Sequence, residues 1–555
     1  MAPVSYGAGM SVTHEVTNQV PPLAGHDPIA GDAALAEACR RHADQATLDS
    51  LAGLGALAGS EQAQEWARLA NEHPPRLRTH DRYGHRVDEV EFHPAWHELM
   101  AAAIGHGLAG APWAEQAAGE RHAHVRRAVG YLGWTQVEAG HGCPVTMTYA
   151  AVPALRAAPD LAAALDPGLT SRSYQFGLAD PRTKRGLVAG MGMTEKQGGS
   201  DVRANTTRAV PGGDGSWSLT GHKWFTSAPM SDLFLVLAQT TEGLSCFLVP
   251  RVLPGGERNV FRLQRLKDKL GDRSNASSEV EFDGTSGWLV GDPGRGVPAI
   301  IEMVATTRLD CVLGSAATVR AALTQAVHHA RHRAAFGARL ADQPLMQNVL
   351  ADLALESEAA TALAVRLAAA QDAGERDLLR LAGAVAKFWV CKRTPTVVAE
   401  ALEVLGGNGY VEESGMPRLY RQAPLNSIWE GSGNVIALDV LRALGAGSAA
   451  LAAVRAELEL ARGADPRYDA ALTGLAAELA DPEQLPLRAR RIAGRLAVCL
   501  QAALLLRHAP PAVADAFCAT RLAGDWGGVL GTLPAGVPVR QLVDRAAVEP
   551  AGARS

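Results

Sequence analysis

Three short stretches hold residue types that could do chemistry. The first, Met193-Thr194-Glu195-Lys196-Gln197-Gly198-Gly199-Ser200-Asp201, leaves an apolar run and enters a region of strand-like alternation. Two glycines free backbone N–H groups, and with the hydroxyls of Thr194 and Ser200 they can cradle a polar ligand. An ordinary long loop would read the same way. The second, Gly221 to Ser227, sets Trp224 and Phe225 beside Thr226 and Ser227. That suits a planar heterocycle, with a ring face to stack on and a polar rim to bond; a core tryptophan on a strand is the plainer alternative. The third, Asn426-Ser427-Ile428-Trp429-Glu430-Gly431-Ser432-Gly433-Asn434, is a short loop between two helical stretches. Apolar neighbours would desolvate Glu430, raise its pKa and make it a useful base. Ser432 or Asn434 can also cap the next helix, VIALDVLRAL.

Other chemistries find no support. Gly190-Met191-Gly192 begins a dinucleotide-type glycine pattern, but Glu195 stands where the third glycine should be, and no phosphate-loop motif is present. The seven cysteines are scattered without a C-x-x-C pair, which points to reduced thiols in a cytoplasmic protein. His93 and His97 have a metal-binding spacing but no third ligand, so no metal is expected. The N-terminal residues show no basic run followed by an apolar core, so no signal peptide is expected. The longest apolar stretch, Leu496 to Leu506, is interrupted by Gln501 and is short of the roughly 20 residues that span a bilayer, so no membrane partner is expected.

The elements that must position these loops follow from periodicity. At 555 residues, about three or four domains are expected. Hydrophobic residues at 47% and charged residues at 20% exclude a disordered chain, and a net charge of -5 excludes a uniformly basic nucleic-acid coat. Aromatics are only 5%, and alanine and leucine dominate, so helix should outweigh strand. After a coil-like arm, residues 32 to 165 read as helices. Residues 186 to 291 read as short strands separated by turn signals at Pro211 to Gly215 and Pro254 to Gly256. Helical period returns from Val297 to Leu444, with short connections that suggest an antiparallel bundle. Gly445-Ala446-Gly447-Ser448 looks like a hinge before a last helical unit. This order argues against an alternating α/β fold.

Taken together, the motifs resemble those of the flavin-dependent acyl-CoA dehydrogenase family. Thr194-Glu195 with Gly199-Ser200-Asp201 is similar to its T-E-x-x-x-G-S-D signature, although Lys196 replaces the usual proline. Trp224-Phe225-Thr226 resembles its W-x-T, and Lys269 to Arg273 its K-x-G-x-R. Arg333 to Gly337 is similar to R-x-x-F-G, Leu405 to Tyr410 to L-G-G-x-G-Y, and Glu430-Gly431 to the catalytic E-G. The stretches GMGMTEKQGGSDVRANTTRA, LKDKLGDRSNASSEVEF and NSIWEGSGN resemble the branch that bacteria use in the adaptive response to DNA alkylation.

The resemblance implies an α+β, mostly α, acyl-CoA dehydrogenase-like fold. It would comprise an N-terminal arm and helical domain (1–185), a β-barrel domain (186–291), a four-helix-type bundle (292–446) and an extra C-terminal helical domain (447–555). It implies FAD, held by Met191, Gly192, Met193, Thr194, Glu195, Lys196, Gln197, Gly198, Gly199, Ser200, Trp224, Phe225 and Thr226. It adds Ile428, Trp429, Gly431, Ser432, Gly433, Asn434, Val435, Ile436, Ala437 and Leu438. Arg333, Phe336, Gly406 and Gly407 would reach the FAD of a neighbouring subunit, which implies a homo-oligomer, most simply a tetramer of paired dimers. Glu430 would remove the α-proton of an acyl-CoA.

Basic residues open a second line. From Gln484 to Ala514 the chain has no acidic residue, and Arg488, Arg491 and Arg495 fall within a roughly 60° arc of one helix. Three guanidinium groups in a row could contact phosphates without reading bases. A solvated basic face or an intersubunit salt bridge fits as well. The branch resemblance implies double-stranded DNA as the partner. The expected function is an FAD-containing, DNA-associated acyl-CoA dehydrogenase-like protein; the alternative is a purely metabolic dehydrogenase for short or branched acyl chains.

Overall fold

Helices form where alanine and leucine recur at three- and four-residue steps, and the longest strands, Trp217–Ser227 and Ser277–Val290, carry β-branched and aromatic residues. The computed structural model describes residues 13–445, 448–481 and 483–548. Ala446 and Gly447, at the centre of the expected hinge, lie outside the described residues.

The first part holds α1 (Ala33–His42), α2 (Gln45–Asp49), α3 (Ala52–Ala58) and α4 (Glu61–Glu72), then strands β1 (Arg76–His80) and β2 (Arg86–Glu91). Helices α5 (Pro94–Gly105), α6 (Ala111–Ala117), α7 (Ala123–Trp134), α8 (Gly142–Leu155) and α9 (Pro159–Leu169) follow. Asp32 starts α1 by accepting the N–H groups of Ala34 and Leu35. The antiparallel β1–β2 hairpin interrupts a region expected to be helical. Its signal was the alternation of Arg76–His80 and Arg86–Glu91 about Asp81 to Gly84, where Gly84 takes φ +88°.

The middle part is one sheet of β3 (Ala189–Gly192), β4 (Arg208–Pro211), β5 (Trp217–Ser227), β6 (Leu233–Thr240), β7 (Gly243–Pro250), β8 (Arg262–Leu266) and β9 (Ser277–Val290). Pairing runs from β6 to β7, β9, β5 and β4, and β4 returns to β6 through the single pair Arg208↔Gln239. Strand β6 is buried on both faces. Phe234, Val236 and Ala238 enter the core inside the sheet, whereas Leu233, Leu235 and Leu237 enter the core shared with α8 and α9. A period of two with no solvent face gives the unbroken apolar run of this strand.

Three long helices follow: α10 (Gly296–His332), α11 (Pro344–Asp372) and α12 (Arg376–Val404), with β10 (Ala334–Ala335) and β11 (Ala338–Arg339) between the first two. Then come α13 (Met416–Gln422), α14 (Gly433–Ala443), α15 (Ala449–Glu459), α16 (Pro466–Ala480), α17 (Leu485–His508), α18 (Pro511–Phe517) and α19 (Val539–Ala546). One hydrophobic core runs from Ile29 to Ala546 through the N-terminal helices, the bundle and the C-terminal helices. The C-terminal unit, expected as a separate domain, shares this core. Helix α17 packs on α11, α12 and α14, and the apolar run from Leu496 to Leu505 is buried against them. Among the described residues, no helix is long and apolar enough to cross a membrane.

Candidate active site

The first two sequence clusters meet directly. The N–H of Trp224 donates to the carbonyl of Thr194 at 2.8 Å, and Asn205 Nδ2 donates to the carbonyl of Met193 at 2.8 Å. Met191 and Met193 pack against the β6 core. Gly199 is required by close approach, since a Cβ there would come within 2.3 Å of Thr194 Oγ1. Gly198 is required by its φ of +138°.

Within this loop the Glu195 side chain is engaged by the protein itself. Its carboxylate is fully buried against Lys223 Nζ at 2.8 Å. It also accepts the N–H groups of Thr206 and Thr207 at 2.7 and 3.1 Å. Burial alone would raise its pKa, but Lys223 and these donors overcome burial and hold it far below the usual carboxylate range. This side chain fixes the loop and is not free for a ligand. The Lys196 N–H, which a proline would lack, donates to His222 Nε2 at 3.0 Å, so it too is committed.

On strand β5, Thr226 behaves differently. It is buried, yet its Oγ1 has no hydrogen-bond partner among the described residues. An orphaned buried hydroxyl beside a glycine loop fits the rim of a polar heterocycle and costs about 1–3 kcal/mol if left unmet. Trp224 stands in a cationic setting, with Lys267 Nζ 3.1 Å from its ring centroid and Lys196 Nζ 5.6 Å away. Phe225 is half exposed.

Glu430 sits in a left-handed turn at φ +58°, followed by Gly431 at φ +106°. A left-handed glutamate is uncommon and persists only where its surroundings enforce it. Those surroundings come from three helices. From α10, Thr307 Oγ1 donates to Glu430 Oε2 at 2.8 Å and Arg308 Nε donates to the Glu430 carbonyl at 3.1 Å. From α12, Lys387 Nζ donates to the carbonyls of Trp429 and Gly431 at 2.8 and 2.5 Å. From α14, Asp439 holds Arg308 at 2.8 Å and is itself held by Arg380 at 2.9 Å. Trp429 Nε1 donates to Asn426 Oδ1 at 2.8 Å. Burial raises the Glu430 pKa, while the Thr307 hydrogen bond and the charges of Arg308 and Lys387 oppose it. In the Glu430 loop, the buried Ser427 Oγ also has no partner among the described residues. Ile428 is exposed at the mouth, whereas Ile436 and Ala437 are core. Sequence reasoning missed Thr307, Arg308, Lys387 and Asp439; the usable signal was a lone lysine inside the apolar run Ala384 to Cys391.

The β5 cluster and the Glu430 loop share no hydrogen bond among the described residues. They are linked through the turn at Lys269 to Arg273. Ser278 Oγ donates to the Thr226 carbonyl at 2.9 Å, Lys269 Nζ donates to Ser277 Oγ at 3.0 Å, and the Asp272 N–H donates to Gln422 on α13 at 2.8 Å.

Arg333 donates to the Asn18 carbonyl, and the Ala334 N–H donates to Asn18 Oδ1 at 2.9 Å, so the N-terminal arm holds this hairpin. Phe336 is fully exposed at φ +54°. Gly406 takes φ +60°, and a Cβ at Gly406 or Gly407 would meet nothing within 4 Å. These residues lie on an open surface. His93 caps α5 and His97 bonds the Tyr174 hydroxyl at 2.8 Å, and no metal-binding group forms among the described residues.

The arginine row makes contacts within the α16–α17 hairpin. Arg491 Nε lies 2.8 Å from Glu478 Oε1 on α16, and Arg495 binds the same oxygen. Arg488 donates to the carbonyls of Glu478, Asp481 and Glu483 at 3.0, 2.6 and 2.7 Å. Arg488 therefore locks the α16–α17 hairpin. Arg491 is the most exposed of the three.

Comparison with known proteins places this geometry among relatives. The adaptive response protein AidB N-terminal domain matches residues 18–176, the acyl-CoA dehydrogenase middle domain residues 190–285, and the acyl-CoA dehydrogenase C-terminal domain residues 294–445. The chain is 48% identical to AidB of Escherichia coli over 516 residues, covering 92% of this chain and 94% of that protein. The solved structure of Bd2924 in its apo form superposes with TM-score 0.81 at 30% identity, covering 89% of this chain and all of that one. Caenorhabditis elegans ACDH-11 in complex with C11-CoA superposes with TM-score 0.81 at 27% identity, covering 91% and 93%.

Proposed function

Because this chain belongs to the acyl-CoA dehydrogenase family, in its AidB-type branch, we propose that it is an FAD-dependent oxidoreductase acting on acyl-CoA thioesters, with Glu430 as the base. What supports this above all is the loop carrying Glu430: a part-buried carboxylate whose pKa is raised by desolvation, fixed from three sides. The loop 191–200, Trp224 and Thr226 would hold FAD, and the unpartnered Thr226 hydroxyl fits that role. FAD, when bound, supplies the two-electron acceptor for the β-hydride of the acyl chain. Glu430 removes the α-proton, and Thr307 orients its carboxylate through Oε2. Arg333, Phe336, Gly406 and Gly407, on an open surface, would complete the FAD site of a second subunit in a homotetramer.

The test is anaerobic. Purified protein reconstituted with FAD should be yellow, and an acyl-CoA should bleach it. A protein that takes up no FAD, or holo-protein that sediments as a monomer at micromolar concentration, counts against the respective part.

Association with double-stranded DNA in the alkylation response is the second reading. The AidB-type N-terminal region and the exposed Arg490 and Arg491 of α17 favour it. A salt titration of duplex binding tests it: no binding at low salt favours a purely metabolic dehydrogenase.

A further inference from the structure

Lys387 is a buried cation without a counter-ion of its own. It projects from the middle of α12 and is 1% exposed, and among the described residues no carboxylate lies within ion-pair distance of it. An ammonium in such a place is costly unless its donors are met and an anion lies close. Its donors go to the carbonyls of Trp429 and Gly431, the two residues flanking Glu430. The remaining neighbours do not supply the anion. The thiols of Cys311 and Cys391 are raised by burial and stay neutral. Asp439 is occupied by Arg308, Arg380 and Arg442. Glu430 is the carboxylate left.

We infer that Lys387 is a positioning residue for Glu430: one ammonium clamps both flanking carbonyls, enforces the left-handed turn, and serves as the counter-charge of the ionised base. The inference rests on the assignment of Glu430 as base, and goes beyond it in naming what sets the geometry and ionisation of that base. The clamp explains why a non-glycine residue keeps φ +58°. Two carbonyls drawn to one point on α12 leave the intervening residue a tight reversal and aim its side chain toward Thr307 on α10. Arg308 steadies the same turn from α10 by bonding the Glu430 carbonyl, but its charge is shared with Asp439. Lys387 is therefore the less compensated of the two cations facing Glu430.

The experiment uses the full chain loaded with FAD. Lys387→Met is near-isosteric and neutral. The titration of Glu430 is read by infrared difference spectroscopy against Glu430→Gln, which isolates one carboxyl band and needs no turnover. Removing the ammonium should move that titration upward by about one pH unit, a tenfold change in ionisation. The acid limb of acyl-CoA-dependent bleaching should move by the same amount. Lys387→Arg, which keeps the charge, should leave the titration near that of the wild type. If Lys387→Met does not fold, Lys387→Gln takes its place with the same readouts. An unmoved Glu430 titration in a neutral variant that keeps FAD and melting temperature overturns the inference. A wild type that no acyl-CoA bleaches, but whose Glu430 titration still shifts, overturns the dehydrogenase assignment and leaves the role of Lys387 standing.

Discussion

As the proposed base, Glu430 carries two opposed requirements, since a base must be ionised to act and a carboxylate partly withdrawn from water resists ionisation. Its raised pKa has a definite sign in stability. The folded state binds the Glu430 proton more tightly than the unfolded chain. The resulting stability is present below the ordinary glutamate range and is lost as pH rises through the folded pKa. Glu430→Gln should therefore melt higher than wild type at pH 7 and above, with the advantage vanishing below about pH 4. Calorimetry across pH checks this; an advantage that grows toward acid would contradict it. The same variant should keep FAD yet lose acyl-CoA-dependent bleaching by about 10²-fold or more, because an amide cannot take the α-proton. Residue type and spacing made Glu430 legible in the sequence. Thr307 and Lys387 were not, because each lies more than 40 residues away and meets the loop only when α10 and α12 pack beside it.

At the scale of elements, two devices hold the site and the extension in shape. The loop after β3 is pinned by the buried Glu195–Lys223 pair. Lys223→Met leaves a buried carboxylate without its partner and should cost about 3–5 kcal/mol. Urea unfolding measures it, and a loss under about 1 kcal/mol would mean that Thr206 and Thr207 suffice. The second device is the α16–α17 hairpin, where one carboxylate, Glu478, pairs with both Arg491 and Arg495. If duplex DNA binds this face, Glu478→Gln should tighten binding at low salt. It should also steepen log K against log salt by about 0.9 for each further phosphate that a freed arginine neutralises. An unchanged salt slope would assign the arginines to the hairpin alone. The sequence put these arginines on one face of a helix, and periodicity was right about that. It was silent on Glu478, which approaches from a different helix.

Across the whole molecule, one core joins parts that were expected as separate domains. Ile492, Leu496, Leu500 and Leu504 of α17 are buried, and a Cβ at Gly494 would lie 3.2 Å from Trp389 of α12. At the N-terminal side, Arg545 of α19 bridges Glu37 of α1 and Glu358 of α11 at 2.7 and 2.9 Å. A chain ending at residue 446 should therefore aggregate or melt far below the full chain, since each uncovered leucine forfeits about 1.5–3 kcal/mol. Light scattering and thermal melts decide this; a monodisperse, FAD-loaded truncation of unchanged stability would show that the C-terminal unit is an independent appendage.

By itself the sequence determined the ordering of helices, strands and helices, the three polar clusters, and Glu430 as the candidate base. These follow from local period and from motif spacing, which are properties of neighbouring residues. It also carried, unread, the alternation of the β1–β2 hairpin. Tertiary structure alone decided which polar side chains are free to meet a ligand. Glu195 and Lys196 look available in a glycine loop, yet Lys223 and His222, more than 20 residues on, take up their donors and acceptors. Thr226 looks like any strand threonine, yet burial leaves its hydroxyl unmet. Glu430 acquires its conformation from α10, α12 and α14 together. Burial and electrostatic pairing depend on distance through space, and a one-dimensional pattern does not encode which distant helix supplies the partner.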